Sequence, residues 1–192
     1  MIINIYSKII MKTTKLIIVF FLLLSLMGCD KLRELATITI NTRLETEFPI
    51  VVNESGINLP GALNANNAPI QFSVTEVLKI EENFDLEPYI KKIKGIDLEK
   101  LEVTVLGLTQ GQAINSVSLD ILGIGNIVTL TNITMTNNKY TPDIPDELFD
   151  RVASKLLSDK QITATVSGNT SSPISITLEV AIDAKVLAYI LN

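Results

Sequence analysis

Histidine and tryptophan are missing from all 192 residues, and cysteine occurs once, at Cys29. Without histidine there is no imidazole to activate a serine or cysteine nucleophile, and the commonest zinc ligand is gone. With one cysteine, no disulfide can close within the chain. Aromatic residues make up only 5%. That is too few for the girdles of an outer-membrane barrel, and thin for the ring platforms on which sugars stack. Positive charge is also short: 16 lysines and arginines face 21 acidic residues, a net charge of −5. Nucleic-acid binding rests on Lys and Arg neutralising phosphates, so this balance argues against it.

What the chain does have is one long apolar run near its start. Lys12 and Lys15 precede it, Leu16 to Met27 form it, and Gly28 and Cys29 close it. A basic n-region, an apolar h-region and a small residue at the cut are the parts of a secretory signal. Leu16 to Met27 is too short to cross a bilayer, which takes roughly 20 residues. Leu26-Met27-Gly28-Cys29 resembles the lipobox of bacterial lipoproteins, in which Leu26, Met27 and Gly28 are the signal-peptidase recognition residues. The resemblance implies cleavage before Cys29, a diacylglycerol on its sulfur, and a further acyl chain such as palmitate on the new N-terminus. Several chains anchor a protein where one binds only marginally. Met11 is the expected initiator of this signal.

The expected organisation is a signal helix over 1–28, removed on export, a charged tether over 29–35, and one domain over 36–192. Cleavage after Gly28 leaves 164 of the 192 residues, enough for a domain with its own core. Lys8, Lys12 and Lys15 leave with the signal and no acidic residue does, so the net charge moves from −5 to −8. The expected membrane partner is therefore reached through acyl chains on Cys29 and not through attraction to anionic lipid. Asp30 after the cysteine resembles an inner-membrane retention signal of enteric bacteria. Charged residues at that place resemble a surface-export signal in Bacteroidota. The cell envelope is the expected location, with the outer membrane, on its periplasmic or surface side, favoured over the inner.

From Ala36 onward the chain alternates. Ala36 to Ile40 and Glu47 to Val52 read as strands, the second with Pro49, which suits an edge. Asn53 to Pro69 is a loop rich in Asn, Gly, Ala and Pro. Ile70 to Ile80 is a strand with Ile70, Phe72 and Val74 on one face. Phe84 to Gly95 has helical spacing: Leu86, Tyr89, Ile90 and Ile93 share a face, Asp85 is placed to cap it and Gly95 to end it. Leu101 to Val105 and Val117 to Ile121 alternate again, and Gly123 to Asn126 turns the chain into Ile127 to Met135.

A second helix follows, with Asp143 as cap, Pro145 in the first turn, and Leu148, Val152 and Leu156 on one face. Glu147 is spaced to pair with Arg151. Gln161 to Gly168 and Pro173 to Val186 close the chain as strands. Seven or eight strands with short turns predict a mainly β fold, an antiparallel β-sandwich of immunoglobulin-like architecture with two short helices. In style the chain resembles small β-sandwich lipoproteins of Bacteroidota-type bacteria, and that resemblance implies a binding or structural role.

Two acidic clusters are candidates for chemistry, one of Glu81, Glu82, Asp85 and Glu87, the other of Asp143, Asp146, Glu147 and Asp150. A carboxylate-based glycan hydrolase needs two such groups facing one another across a cleft. A calcium-dependent adhesive domain would draw oxygen ligands from Asp143, Asp146, Glu147 and Asp150, although regular calcium-loop spacing is absent. Helix capping and first-turn charge explain both clusters more simply. Gly123-Ile124-Gly125 lacks the third glycine and the following helix of a dinucleotide loop, so it reads as a hairpin turn. Of the aromatics, Phe72, Phe84, Tyr89 and Phe149 are assigned to the core and Tyr140 to the surface. The polar faces Thr129, Thr131, Asn132, Thr134, Thr136 and Thr163, Thr165, Ser167 suit a solvated sheet or a partner. The resulting expectation is a membrane-anchored, non-catalytic binding or structural module without a cofactor, whose partner is an envelope protein or a glycan.

Overall fold

A computed structural model describes residues 36–53 and 69–190. The signal with Leu26, Met27, Gly28 and Cys29, the 29–35 tether and residues 54–68 of the expected loop lie outside the described residues. The chain divides into the unit Thr39–Ala188 and a terminal unit, Met1–Ile38 with Tyr189–Asn192. Of the terminal unit, residues 36–38 and 189–190 are described, and Ile190 N–H donates to the Ala36 carbonyl.

Eight strands form among the described residues: β1 (Thr37–Val52), β2 (Ile70–Lys79), β3 (Ile93–Leu106), β4 (Ala113–Ile121), β5 (Gly125–Thr134), β6 (Lys139–Tyr140), β7 (Gln161–Thr170) and β8 (Ile174–Tyr189). They make two antiparallel four-stranded sheets, ordered β1-β8-β3-β6 and β2-β7-β4-β5. The expected sandwich is there. Its connectivity is nested: β4 pairs with β5, β3 with β6, β2 with β7, and β1 lies beside β8. The chain doubles back once and the resulting long hairpin rolls up, which adds the β3–β8 and β4–β7 pairings. This is a jelly-roll order, with four strands in each sheet, whereas the immunoglobulin order sets four against three.

Strict alternation sends one side of every strand inward. Leu44, Phe48 and Ile50 of β1, Leu101, Val103 and Val105 of β3 and Ile174 to Val186 at every second residue of β8 are buried. They meet Ile114, Val117 and Leu119 of β4 and Ile162, Ala164 and Val166 of β7 in one core. Fully burying one such branched side chain contributes about 1.5–3 kcal/mol.

The two short strands expected at 36–40 and 47–52 are one continuous β1, and Pro49 sits in it because β1 is an edge of its sheet. The helix expected over Phe84 to Gly95 does not form. Two 3₁₀ turns, Ile80–Glu82 and Glu87–Lys92, stand there, and Ile93, Lys94 and Gly95 already belong to β3. Pro88 sits in the opening turn of the second. From Ile93 the backbone pairs with β8, and a ladder against a buried neighbour outweighs a weak local helical preference. Only one α-helix is present among the described residues, α1 (Asp146–Asp159). Its buried residues Phe149, Val152, Ala153 and Leu156 pack against β3 of one sheet and β7 of the other. Pro145, not Asp143, occupies its N-cap, without a side-chain cap bond, and Lys160 closes it in the left-handed conformation. Arg151 does not turn to Glu147; its Nη2 donates to the Ile124 carbonyl at 3.0 Å, tying the helix to the β4–β5 turn.

Candidate functional site

The sandwich has two solvent-facing sheet surfaces, and their chemistry is opposite. On the β1-β8-β3-β6 sheet the outward residues are charged and largely satisfied by one another. Glu102 of β3 is the hub, only 8% exposed. Its carboxylate accepts from Arg43 Nη2 at 2.6 Å, Lys139 Nζ at 2.9 Å and Lys100 Nζ at 3.3 Å. Arg43 spreads its guanidinium further, to Glu45 at 2.8 Å and Asp183 at 3.0 Å, and so crosses three strands. Lys185 pairs with Glu99 on the same sheet.

Hydrogen bonds from Lys139 and Arg43 outweigh burial and hold the Glu102 carboxyl at about 2. The Arg43 guanidinium is pushed further above its ordinary range, first by Glu102. A cleft of about 300 Å³ opens here, lined by Arg43, Glu47, Glu102, Lys139 and Glu179 among others. A carboxylate held so firmly ionised is a poor proton donor, because a general acid needs its proton near the working pH. This cluster has no local signature, since Arg43, Glu102, Lys139 and Asp183 come from four separate strands.

The surface of the β2-β7-β4-β5 sheet is nearly uncharged. Strand register sets its central outward residues in three rows, each running across all four strands, and the face continues on β2 and β7 with Val77 beside Thr163 and Lys79 beside Gln161. Gln71, Asn169, Ser116 and Thr131 form the first. Ser73, Ser167, Ser118 and Thr129 form the second, a row of hydroxyls from edge to edge. Thr75, Thr165, Asp120 and Asn126 form the third, and Asp120 is the one ionisable group of the twelve. Buried Val166, Val117 and Leu119 alternate with them on the opposite side.

Part of this lattice is bonded to itself. Thr75 and Thr165 hydroxyls meet at 2.9 Å, Ser118 and Thr129 at 2.9 Å, and Asn169 Nδ2 donates to Ser116 Oγ at 2.7 Å. Gln71, Ser73 and Ser167 lie among these residues along an open trough of about 510 Å³. Gly168 at its floor fits against the neighbouring strand where any Cβ would strike the Ser116 carbonyl oxygen, at 2.2 Å. The Thr163, Thr165, Ser167 and Thr129, Thr131 faces singled out in the sequence thus meet on one surface, joined by Ser73, Thr75, Ser116 and Ser118.

The other sequence candidates are dispersed or engaged locally. Glu82 pairs with Lys79 at 2.7 Å, and Asp85 Oδ2 accepts from Thr42 Oγ1 at 3.0 Å. Asp85 does not cap a helix. Asn83 does the local work instead: its Oδ1 accepts from the Asp85 and Leu86 amides, and its Nδ2 donates to the Arg43 carbonyl at 2.9 Å. Asp143, Asp146, Glu147 and Asp150 are exposed, with Asp146 and Glu147 in the first turn of α1. Among the described residues no three His, Cys, Asp or Glu side chains gather closely enough to hold a metal ion. Three aromatics depart from expectation, the first being Tyr89, which is half-buried and lies outside the core cluster. Phe84 is 87% exposed, in the turn ahead of the second 3₁₀ segment. Tyr140 is half-buried in β6, its hydroxyl donating to the Asn137 carbonyl at 2.7 Å.

No protein-family model matches the chain, and no curated protein matches it in sequence. In structure it is similar to the BFDV capsid protein. The decameric form has a TM-score of 0.43 at 8% identity, covering 78% of this chain and 99% of that one. The 60-mer form has a TM-score of 0.40 at 8% identity, covering 82% and 97%. The Desmodium yellow mottle tymovirus protein scores 0.28 at 12% identity, covering 80% and 91%. At these scores the likeness says nothing of what this chain binds or does.

Proposed function

We propose that the chain is an envelope lipoprotein, held to the outer membrane by acyl chains on Cys29, whose sandwich is a non-catalytic binding module. The observation that carries the binding half is the neutral side-chain lattice on the β2-β7-β4-β5 sheet. Its hydroxyls and amides donate and accept hydrogen bonds, but none of them takes up or releases a proton near neutral pH. Such a surface binds; it does not activate. The charged sheet opposite stabilises the sandwich, since its central carboxylate is consumed by Arg43, Lys100 and Lys139. The anchor half rests on Leu26-Met27-Gly28-Cys29 and on a net charge of −8 after cleavage, which leaves an acyl chain as the means of holding a bilayer.

The test is intact mass and detergent partitioning of the chain expressed in its own kind of host, beside Cys29→Ser. The expected parent begins at Cys29, carries acyl mass and enters the detergent phase, and the variant does none of these. A parent that keeps residues 11–28, or stays aqueous and unmodified, overturns the anchor.

A further inference from the structure

Resting on the reading of the sandwich as a binding module, we propose that the trough across β2, β7 and β4 binds a neutral glycan chain. The ligand class follows from what lines the trough. Ser73, Ser167 and Ser118 stand side by side in register, flanked by Gln71 and Asn169. Strands lie about 4.8 Å apart and same-face residues about 7 Å apart along a strand, so the hydroxyls form a regular two-dimensional lattice.

Charge selects further. Among the described residues no lysine or arginine lines the trough, so sulfated, phosphorylated or uronic chains find no cation from them, and charge-assisted pairing is what recognises such groups. A protein partner fits poorly. Protein interfaces are enriched in aromatic residues, Met and Arg and depleted in Ser, and this lattice inverts that composition. A polyhydroxyl ligand matches it, because each hydroxyl of either surface both donates and accepts. Binding leaves no charge desolvated, which keeps the cost of closing the two surfaces low.

Capacity remains to be used. The side chains of Gln71, Ser73 and Ser167 make no hydrogen bond to other described residues, and all three border the trough. The trough of about 510 Å³ is shallow and open to solvent along the sheet. Its open form suits a chain passing across the sheet, not a small molecule enclosed by it.

The experiment is native affinity electrophoresis of the full chain in a non-ionic detergent without a sugar headgroup. The gels carry dextran, mannan, xylan, galactan or a β-1,3-glucan, with alginate as the acidic comparison. At least one neutral polysaccharide is expected to retard the parent and alginate is not. Ser167→Lys at the centre of the lattice is expected to weaken retardation by about tenfold or more. Thr177→Lys, on the charged sheet, is expected to leave it unchanged. Circular dichroism melting of both variants shows whether each folds. Should Ser167→Lys fail to fold, the milder pair Ser73→Ala with Ser167→Ala takes its place.

No retardation by any neutral polysaccharide overturns the proposal, as does equal retardation by alginate or retardation untouched by a folded lattice variant. Mass and phase partitioning of the same preparation read the anchor separately. An acylated, detergent-phase chain that ignores every glycan sinks the trough alone, whereas a chain retaining its leader sinks the anchor whatever the gels show.

Discussion

The ring of Phe72 in β2 lies over Gly168 in β7, directly opposite it in the ladder, where a side chain on that glycine would have to go. A Cβ at Gly168 would stand 2.6 Å from Phe72 Cζ and 2.2 Å from the Ser116 carbonyl oxygen on the other side. An aromatic covering a cross-strand glycine compensates for the packing the glycine lacks and pins the register of two strands.

Gly168→Ala is therefore expected to destabilise the sandwich by about 1–3 kcal/mol, since neither a backbone carbonyl nor a packed ring can yield cheaply. Gly95→Ala in β3 is the comparison. Its Cβ would meet only the Leu187 side chain, Cδ1 at 3.6 Å and Cβ at 3.9 Å, both ordinary contacts, and little change is expected. Urea unfolding of both variants reads the difference. Equal costs would show that the crowding at Gly168 is relieved by movement.

Glu102 makes stability depend on acid. Its carboxyl has an ordinary value of 4.5 and is held at about 2 in the fold, first by Lys139 and then by Arg43. A depressed folded value stabilises the protein fully above about 4.5, and that contribution is lost as pH falls toward 2. Glu102→Gln is expected to melt below the parent at pH 7, with the gap closing between pH 4.5 and 2. A gap that stays constant with pH would mean the ion cluster contributes nothing to folding.

Phe84 is expected to be dispensable for the fold. At 87% exposure it sits outside the core, so Phe84→Ser should change stability by no more than about 0.5 kcal/mol. Asn83 beside it is the opposite case, since it satisfies two turn amides and the Arg43 carbonyl of edge strand β1. Asn83→Ala is expected to cost about 1–3 kcal/mol, since the Asp85 amide and the Arg43 carbonyl lose their side-chain partner while the Leu86 amide keeps the Asn83 carbonyl. Thermal melts that rank the two variants the other way would overturn this reading of the turn.

In α1, Leu156 is fully buried, and Leu156→Ala is expected to cost about 2–5 kcal/mol. Glu147→Ala should cost almost nothing, because Arg151 bonds the Ile124 carbonyl and not Glu147. A clear loss in Glu147→Ala, read by urea unfolding, would show that the i, i+4 ion pair forms in solution.

Much of the fold was legible because alternation is a local property. Ile174 to Ile182 is buried at every second residue simply because strand side chains alternate, and a reader of the sequence sees that pattern directly. The turn at Gly123 to Asn126 was legible for a similar reason, since Gly123 and Gly125 hold positive φ that other residues resist. Leu86, Tyr89, Ile90 and Ile93 misled because their spacing fits a helix face, while the pairing of Ile93 with Ala188 lies 95 positions away along the chain. Local preference is worth tenths of a kcal/mol per residue, and a buried ladder overrules it.

The sequence by itself determined the resemblance of Leu26 to Cys29 to a lipobox, the shortage of cations, the lack of histidine and the inward face of nearly every strand. These depend on residue identity and on neighbours within a few positions. Only the tertiary structure decided which strands became neighbours. It placed Ser73 beside Ser167 and Ser167 beside Ser118, and Arg43 within reach of Glu102 and Asp183. Nesting β2–β7 around β4–β5 collects uncharged residues on one sheet, and β1, β8, β3 and β6 collect the charges on the other. Pairing across 50 to 140 positions is fixed by how the whole apolar face closes on itself. No short stretch of sequence carries that information, so the two opposed surfaces exist only in the folded chain.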